Sequence, residues 1–291
     1  MTTQTLETAA TVATRFVETN GRTLAYREIG TGTPLIVALR FRGVMDVWDP
    51  AFLDALARNF RVITFDYSGL GQSTGTPSYR AELMARDMTD LADALGIDRF
   101  IAGGWSIGGF PAQVVATLMP ERVSHVVLIG TAPPGKLDYG MDPVFFDHAL
   151  KPVYELEDET VLFFEPESAA SRAAAAASVA RIAARTGDLS PPIPQEIYMH
   201  LLEDRAANDV FPDLAGYSDF LATAGIPILV ISGDHEICFP VQNWFALNRE
   251  WQSLHLMVLP HAGHGPQHEA PELVADLITS FVRNRSRSPE A

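Results

Sequence analysis

The stretch Gly103-Gly104-Trp105-Ser106-Ile107-Gly108-Gly109 follows the apolar run Arg99-Phe100-Ile101-Ala102 and leads into Phe110-Pro111-Ala112-Gln113-Val114-Val115-Ala116. A strand therefore turns sharply into a helix at Ser106. The spacing GxSxG has a steric reason: a serine held on a strained strand-to-helix turn leaves no room for a side chain at either flank, here Gly104 and Gly108. The helix that begins at Ile107 would aim free backbone N–H groups and the positive end of its dipole at the serine hydroxyl. The N–H of Ile107 is thus a candidate oxyanion donor and Ser106 a candidate nucleophile. A glycine-rich turn without chemistry uses the same short pattern, so a base and an acid must be found elsewhere in the chain.

On both sides of this turn the chain alternates strand, loop and helix. Arg15 to Thr19, the turn Asn20-Gly21 and Thr23 to Ile29 form a hairpin pattern, since Asn-Gly accepts the positive φ angles of a two-residue turn. Leu35 to Leu39 and Arg61 to Asp66 are apolar runs of the kind buried in parallel sheets. Asp49 is placed to cap a helix that has Pro50 at its first position and runs through Leu56. Glu82 to Leu95 carries apolar residues at helical spacing and stops at Gly96. Strands are expected again over Val123 to Ile129, Ile226 to Ile231 and Leu254 to Leu259, helices after Pro240 and from Pro271 to Val282. This rhythm predicts an α/β fold with a doubly wound, mostly parallel sheet.

Between 133 and 214 no apolar strand appears, and the segment reads as an inserted helical cap on a core of residues 15–132 and 215–283. Residues 1–14 and 284–291 read as flexible tails. Ala169 to Arg185, alanine-rich with interspersed arginines, is a strong intrinsic helix former rather than a functional motif.

Composition narrows the function. The chain has 291 residues, enough for one enzyme-sized domain with an insertion. With 21 Lys and Arg against 36 Asp and Glu, its net charge is −15. Such a surface repels phosphate backbones and anionic membranes, so neither nucleic acid nor membrane is expected as a partner. Without a leader pattern at Met1 to Glu7 or a long apolar segment, a soluble cytoplasmic protein is expected. Cys238 is the sole cysteine, which excludes an intrachain disulfide and a cysteine-based zinc site.

Two late strand ends carry candidate partners for Ser106: Ile231-Ser232-Gly233-Asp234-His235-Glu236 and Leu259-Pro260-His261-Ala262-Gly263-His264-Gly265. Serine, acid and histidine then follow in that order, each at the carboxyl end of a strand. His261, His264 and His268 beside Glu269 also invite a metal reading, but Gly263, Gly265 and Pro266 prevent a helix that would align them, and no metal is expected. His264 alone lies between glycines. His125, His148, His200, His235 and His255 read as surface or packing residues.

Over most of residues 15–283 the chain resembles the α/β-hydrolase superfamily. Asp66-Tyr67-Ser68-Gly69-Leu70-Gly71-Gln72-Ser73 is similar to its D-x-x-G-x-G-x-S segment, Gly104 to Gly108 to its elbow, and Gly263-His264 with Glu269-Ala270-Pro271-Glu272 to its histidine loop. The resemblance implies Ser106 as nucleophile and His264 as general base. Its acid commonly stands three residues after the strand-ending glycine, which points to Glu236; Asp234 is the alternative. Aligned through Pro34 and Trp48, the second oxyanion donor is the N–H of Phe41. Arg40 stands where relatives usually have glycine. It reads either as a structural tie to Asp66 or Glu28, which is favoured, or as a recognition group for an acidic substrate.

A serine at the elbow argues against the aspartate-dependent epoxide hydrolases and dehalogenases of this fold. The implied activity is a cofactor-free carboxylic ester or lactone hydrolase for a small to medium, largely apolar substrate. Phe145, Phe146, Val161, Leu162, Phe163 and Phe164 either line its pocket or pack the cap's own core. The alternatives are carbon–carbon bond hydrolysis or perhydrolysis on the same scaffold, and a ligand receptor of this fold.

Overall fold

A computed structural model describes residues 8–203 and 210–284 of the chain; the remainder of the expected C-terminal tail, 285–291, lies outside them. Eight strands form one sheet: β1 (Arg15–Thr19), β2 (Arg22–Ile29), β3 (Thr33–Ala38), β4 (Phe60–Phe65), β5 (Phe100–Trp105), β6 (Val123–Ile129), β7 (Ile228–Gly233) and β8 (Leu254–Leu259). Their order is β1-β2-β4-β3-β5-β6-β7-β8. The first two pairings are antiparallel and the rest parallel. The β1–β2 turn has φ 47° at Asn20 and 78° at Gly21, as a tight hairpin requires.

The central strands β5 and β7 are buried along their whole length, because helices cover both faces. α1 (Pro50–Ala57) is capped by Asp49, whose Oδ1 accepts from the Ala51 N–H at 2.9 Å. α2 (Ala81–Ala94) and α3 (Gly109–Leu118) follow β4 and β5. α3 does not start directly at Ile107: Ser106–Gly108 forms a 3-10 turn first.

Between β6 and β7 the described residues form only helices: α4 (Val144–Ala149), α5 (Leu156–Phe163), α6 (Ala169–Ile182), α7 (Gln195–Glu203) and α8 (Tyr217–Thr223). The chain ends with α9 (Leu247–Glu250), α10 (Pro266–Glu269) and α11 (Pro271–Arg283). After Pro240 the expected helix is broken into a 3-10 turn, Val241–Trp244, and the single turn of α9.

Two arginines of the alanine-rich stretch, unassigned in sequence terms, fasten this helical segment to the start of α1 and to the residues before β1. Arg181 grips the fully buried Asp49 at 2.6–3.0 Å. Arg185 donates to the Val12 carbonyl at 2.9 Å, and Asp188 accepts from the Thr14 N–H at 2.6 Å. Residues 8–14 accordingly depart from the expected flexible tail: Val12 is buried, and the Ala9 N–H donates to Asp54 at 2.7 Å. Among the described residues no helix is long and apolar enough to cross a membrane.

Candidate active site

Ser106 stands at the carboxyl end of β5, buried, with φ 59°. A non-glycine residue in this region carries about 1–3 kcal/mol of strain, sustained only where the surroundings demand it. The demand is visible at the flanking glycines. A Cβ on Gly104 would lie 1.9 Å from the Gly108 carbonyl oxygen, and one on Gly108 would lie 2.3 Å from the Ala38 carbonyl oxygen. β5, the turn and the end of β3 are thus pressed together backbone to backbone, and Ile107, the next residue, is buried in the same turn.

The loop after β8 carries His264 to this place. Trp105, the residue before Ser106, donates its indole N–H to the His264 carbonyl at 2.8 Å, so elbow and histidine loop are tied directly. Gly263 and Gly265 prove to be contact residues. The space a Cβ would take on Gly263 is filled by the Phe164 carbonyl at 2.3 Å, and the Gly265 N–H donates to the Phe163 carbonyl at 2.7 Å. The end of α5 therefore lies on the histidine loop, and the Phe163 ring stacks against His264 at 6.2 Å.

Glu236, on the loop after β7, places both carboxylate oxygens at 2.8 and 2.7 Å from His264 Nδ1. Its Oε1 also accepts from the N–H groups of Cys238 at 2.7 Å and Phe239 at 3.1 Å. Backbone donors thus fix the longer glutamate side chain in place. A carboxylate at Nδ1 holds the proton there and leaves Nε2 as the acceptor. Asp234 is not brought to His264. Its Oδ1 meets His235 Nδ1 at 2.7 Å and the Ala262 N–H at 3.3 Å. Burial pushes the Asp234 carboxyl up, but these hydrogen bonds outweigh it and hold its pKa below the ordinary value.

The three histidines of the loop go separate ways. His261 stacks with His235 at 6.2 Å, while His268 is buried beside Trp105 and Trp48 and accepts from the Asp49 N–H at 3.3 Å. Burial lowers the His268 pKa to about 3, against the opposing pull of Asp49, so its ring is neutral.

Phe41 lies on the loop after β3, buried edge-on to Tyr79 and Tyr198. The expected tie of Arg40 to Asp66 or Glu28 is not found. Glu28 is paired with Arg61 at 2.8 Å, and Asp66 is taken up by the N–H groups of Met45 and Gln72 and by Ser190 Oγ. Arg40 turns instead toward aromatic rings, with its guanidinium carbon 4.5 Å from the Phe163 centroid and 5.3 Å from that of Trp105. Arg42, with φ 58°, carries no signal in the sequence. It donates to the carbonyls of Ala149, Lys151 and Pro152 at 2.6–2.9 Å and lies over Tyr154 and Tyr198. Of the apolar residues expected in the helical segment, Phe163 faces the site, Leu162 and Phe164 are buried, and Phe146 is exposed against Phe145.

Comparison with known proteins bears on the fold. Proline iminopeptidase PfmaB of Pestalotiopsis fici is 28% identical over 278 residues, covering 92% of this chain and 98% of that one. A pimeloyl-[acyl-carrier protein] methyl ester esterase of Pectobacterium carotovorum is 24% identical, covering 90% and 99%. The solved structure of an α/β-hydrolase fold protein from Chitinophaga pinensis superposes with a TM-score of 0.82 at 26% identity, covering 96% and 100%. The sequence profile of the α/β-hydrolase fold matches residues 41–271, and the chain belongs to that family.

Proposed function

We propose that this hydrolase-fold protein cleaves a carboxylic ester or lactone through Ser106, His264 and Glu236, by way of an acyl-enzyme. The observation that carries the reading is the Glu236–His264 pair, buried and anchored by two backbone N–H groups, on a loop tied to the elbow through Trp105. In the proposed reaction Ser106 Oγ attacks the carbonyl carbon while His264 Nε2 takes its proton. The N–H groups of Ile107 and Phe41 hold the oxyanion. Collapse of the tetrahedral intermediate releases the alcohol, which takes the proton from Nε2, and a water molecule then repeats the sequence on the acyl-enzyme. The reaction needs no metal or cofactor. The two relatives differ in the bond they cleave, by name a peptide and a methyl ester. Both are acyl transfers that a serine beside the proposed oxyanion donors would serve, and the ester or lactone is the reading proposed here. Rings such as Phe163 favour a small to medium, largely apolar small molecule as partner.

A fluorophosphonate probe tests the reading. One adduct per chain is expected, on the peptide containing Ser106, with turnover of aryl esters lost in step. Labelling at another residue, or full turnover by Ser106→Ala, overturns it.

A further inference from the structure

Arg40 carries a charge the fold does not neutralise. The residue is buried, and a guanidinium keeps its proton even where burial opposes it. Among the described residues its one hydrogen bond runs from Nη1 to the neighbouring Phe41 carbonyl, at 2.8 Å. Nε has no partner. Nε and Nη2 form the side-on edge of the guanidinium, the edge that grips a carboxylate with two parallel hydrogen bonds.

The surroundings leave that edge unpaired. Phe163, Trp105 and Tyr154 lie 4.5, 5.3 and 6.0 Å from the guanidinium carbon; they offer attraction through their ring faces but no hydrogen-bond acceptor in the plane. The strongest opposite charge acting on Arg40 is Glu159 of α5, which forms no ion pair with it and whose carboxyl burial pushes upward. A buried cation without a close counter-ion is costly, and an apolar wall strengthens any ion pair formed against it. Position supplies the remaining link. Arg40 directly precedes Phe41 on the oxyanion loop, and two of its three rings, Phe163 and Trp105, also pack on His264.

We infer that Arg40 recognises a carboxylate close to the scissile carbonyl, so that the preferred substrates are half-esters of short dicarboxylic acids or lactones bearing a free carboxylate. This rests on the proposed hydrolase reading and adds one anionic group to an otherwise apolar substrate.

Binding to Ser106→Ala, which removes the nucleophile, separates recognition from turnover. Calorimetry should show monoethyl succinate binding at least about tenfold more tightly than ethyl butanoate, its neutral counterpart of equal chain length. Adding Arg40→Gln should remove about ten- to a hundredfold of that preference, the range for hydrogen bonds to a charged group. Arg40→Lys, which keeps the charge but not the fork, should retain only part of it. Equal affinity for the two esters in Ser106→Ala overturns the inference without any change at residue 40. So does an undiminished preference in a folded Arg40→Gln, the result expected if Arg40 only latches the helical segment to the core. If Arg40→Gln does not fold, Arg40→Lys decides, and a fully kept preference there overturns the fork. Failure of the hydrolase reading is read separately, as absence of the fluorophosphonate adduct on Ser106 in the parent protein.

Discussion

The loop after β8 and the loop after β3 both lie against the elbow, yet they are held by different means. The histidine loop is held by backbone: glycines against the Phe163 and Phe164 carbonyls, an indole N–H on the His264 carbonyl, and backbone donors orienting Glu236. The oxyanion loop is held by side chains reaching out of it, with Arg42 on three carbonyls of the helical segment and Arg40 under its aromatic rings. The first loop is thus tied by backbone both to β5, through Trp105, and to the end of α5 in the helical segment. The second meets that segment through the Arg42 side chain, so loss of that side chain should loosen the proposed Phe41 donor.

The largest effect should come from the backbone-held side. Glu236→Gln keeps an oxygen for the Cys238 and Phe239 N–H groups but can present an amide N–H to His264 Nδ1, which favours the wrong tautomer. Loss of the acid's function costs roughly 10⁴ in kcat in well-studied triads. The variant should lose most of its turnover while its melting temperature stays near the parent's. Turnover near normal in a folded variant removes Glu236 from the proposed machinery.

The same contrast explains what the sequence reveals. Strands β6 and β8 are legible to the residue, because each is a mostly apolar run too short for a stable helix and is closed by a breaker, Gly130 after β6 and Pro260 after β8. The choice of Glu236 as partner of His264 is legible only through the family resemblance, whose acid stands three residues after the strand-ending Gly233; the residues alone leave Asp234 open. The roles of Arg40, Arg42, Arg181 and Arg185 are not legible in this way. Each depends on a carbonyl, a ring or a carboxylate brought near by the tertiary fold, and an arginine in an unpatterned segment does not announce its partner. Val12 is hidden for the same reason, since an isolated valine in a polar stretch shows no period until the helical segment covers it.

The oxyanion side should show the next effect. Arg42→Gly tolerates φ 58° and so removes the side chain without adding backbone strain. Freed from Ala149, Lys151 and Pro152, the loop should hold Phe41 less firmly, and kcat should fall about ten- to a hundredfold, short of the roughly 10²–10³ seen when an oxyanion donor is removed outright. Steady-state kinetics beside a thermal melt checks this. A lower melting temperature with unchanged kcat would mean that the helical segment supports stability only.

His268 lies between the two regions, accepting from the Asp49 N–H on one side and packed on Trp105 on the other. Its pKa is about 3 when folded and near 6.5 when unfolded, so the unfolded chain binds one more proton between these values. The stability it contributes is fully present above pH 6.5 and is lost as the pH falls toward 3, at up to about 1.4 kcal/mol per pH unit. A glutamine in its place would supply an acceptor that does not titrate. Urea unfolding at about pH 7 and pH 5 should therefore show a pH-dependent loss about 2 kcal/mol smaller in His268→Gln than in the parent. Equal losses would mean that His268 is not held neutral by the fold.

Asp234 should give the smallest effect, and for that reason it sharpens the comparison most. It occupies the same loop as Glu236 and is also bonded to a histidine, but that histidine is His235, half exposed at the rim. Its second bond, to the Ala262 N–H at 3.3 Å, is long and lies two residues from His264. Asp234→Asn keeps an oxygen for Ala262 and loses only the charge that supports His235. The cost in kcat should be about tenfold or less, the scale of one ordinary hydrogen bond of about 1 kcal/mol. Because Asp234 braces the backbone of the histidine loop, a small loss should appear equally with esters of different acyl groups, since no substrate atom is involved. A dead Asp234→Asn beside an active Glu236→Gln would reverse the assignment of the acid, and with it the view that the backbone donors of Cys238 and Phe239 hold the carboxylate that orients His264.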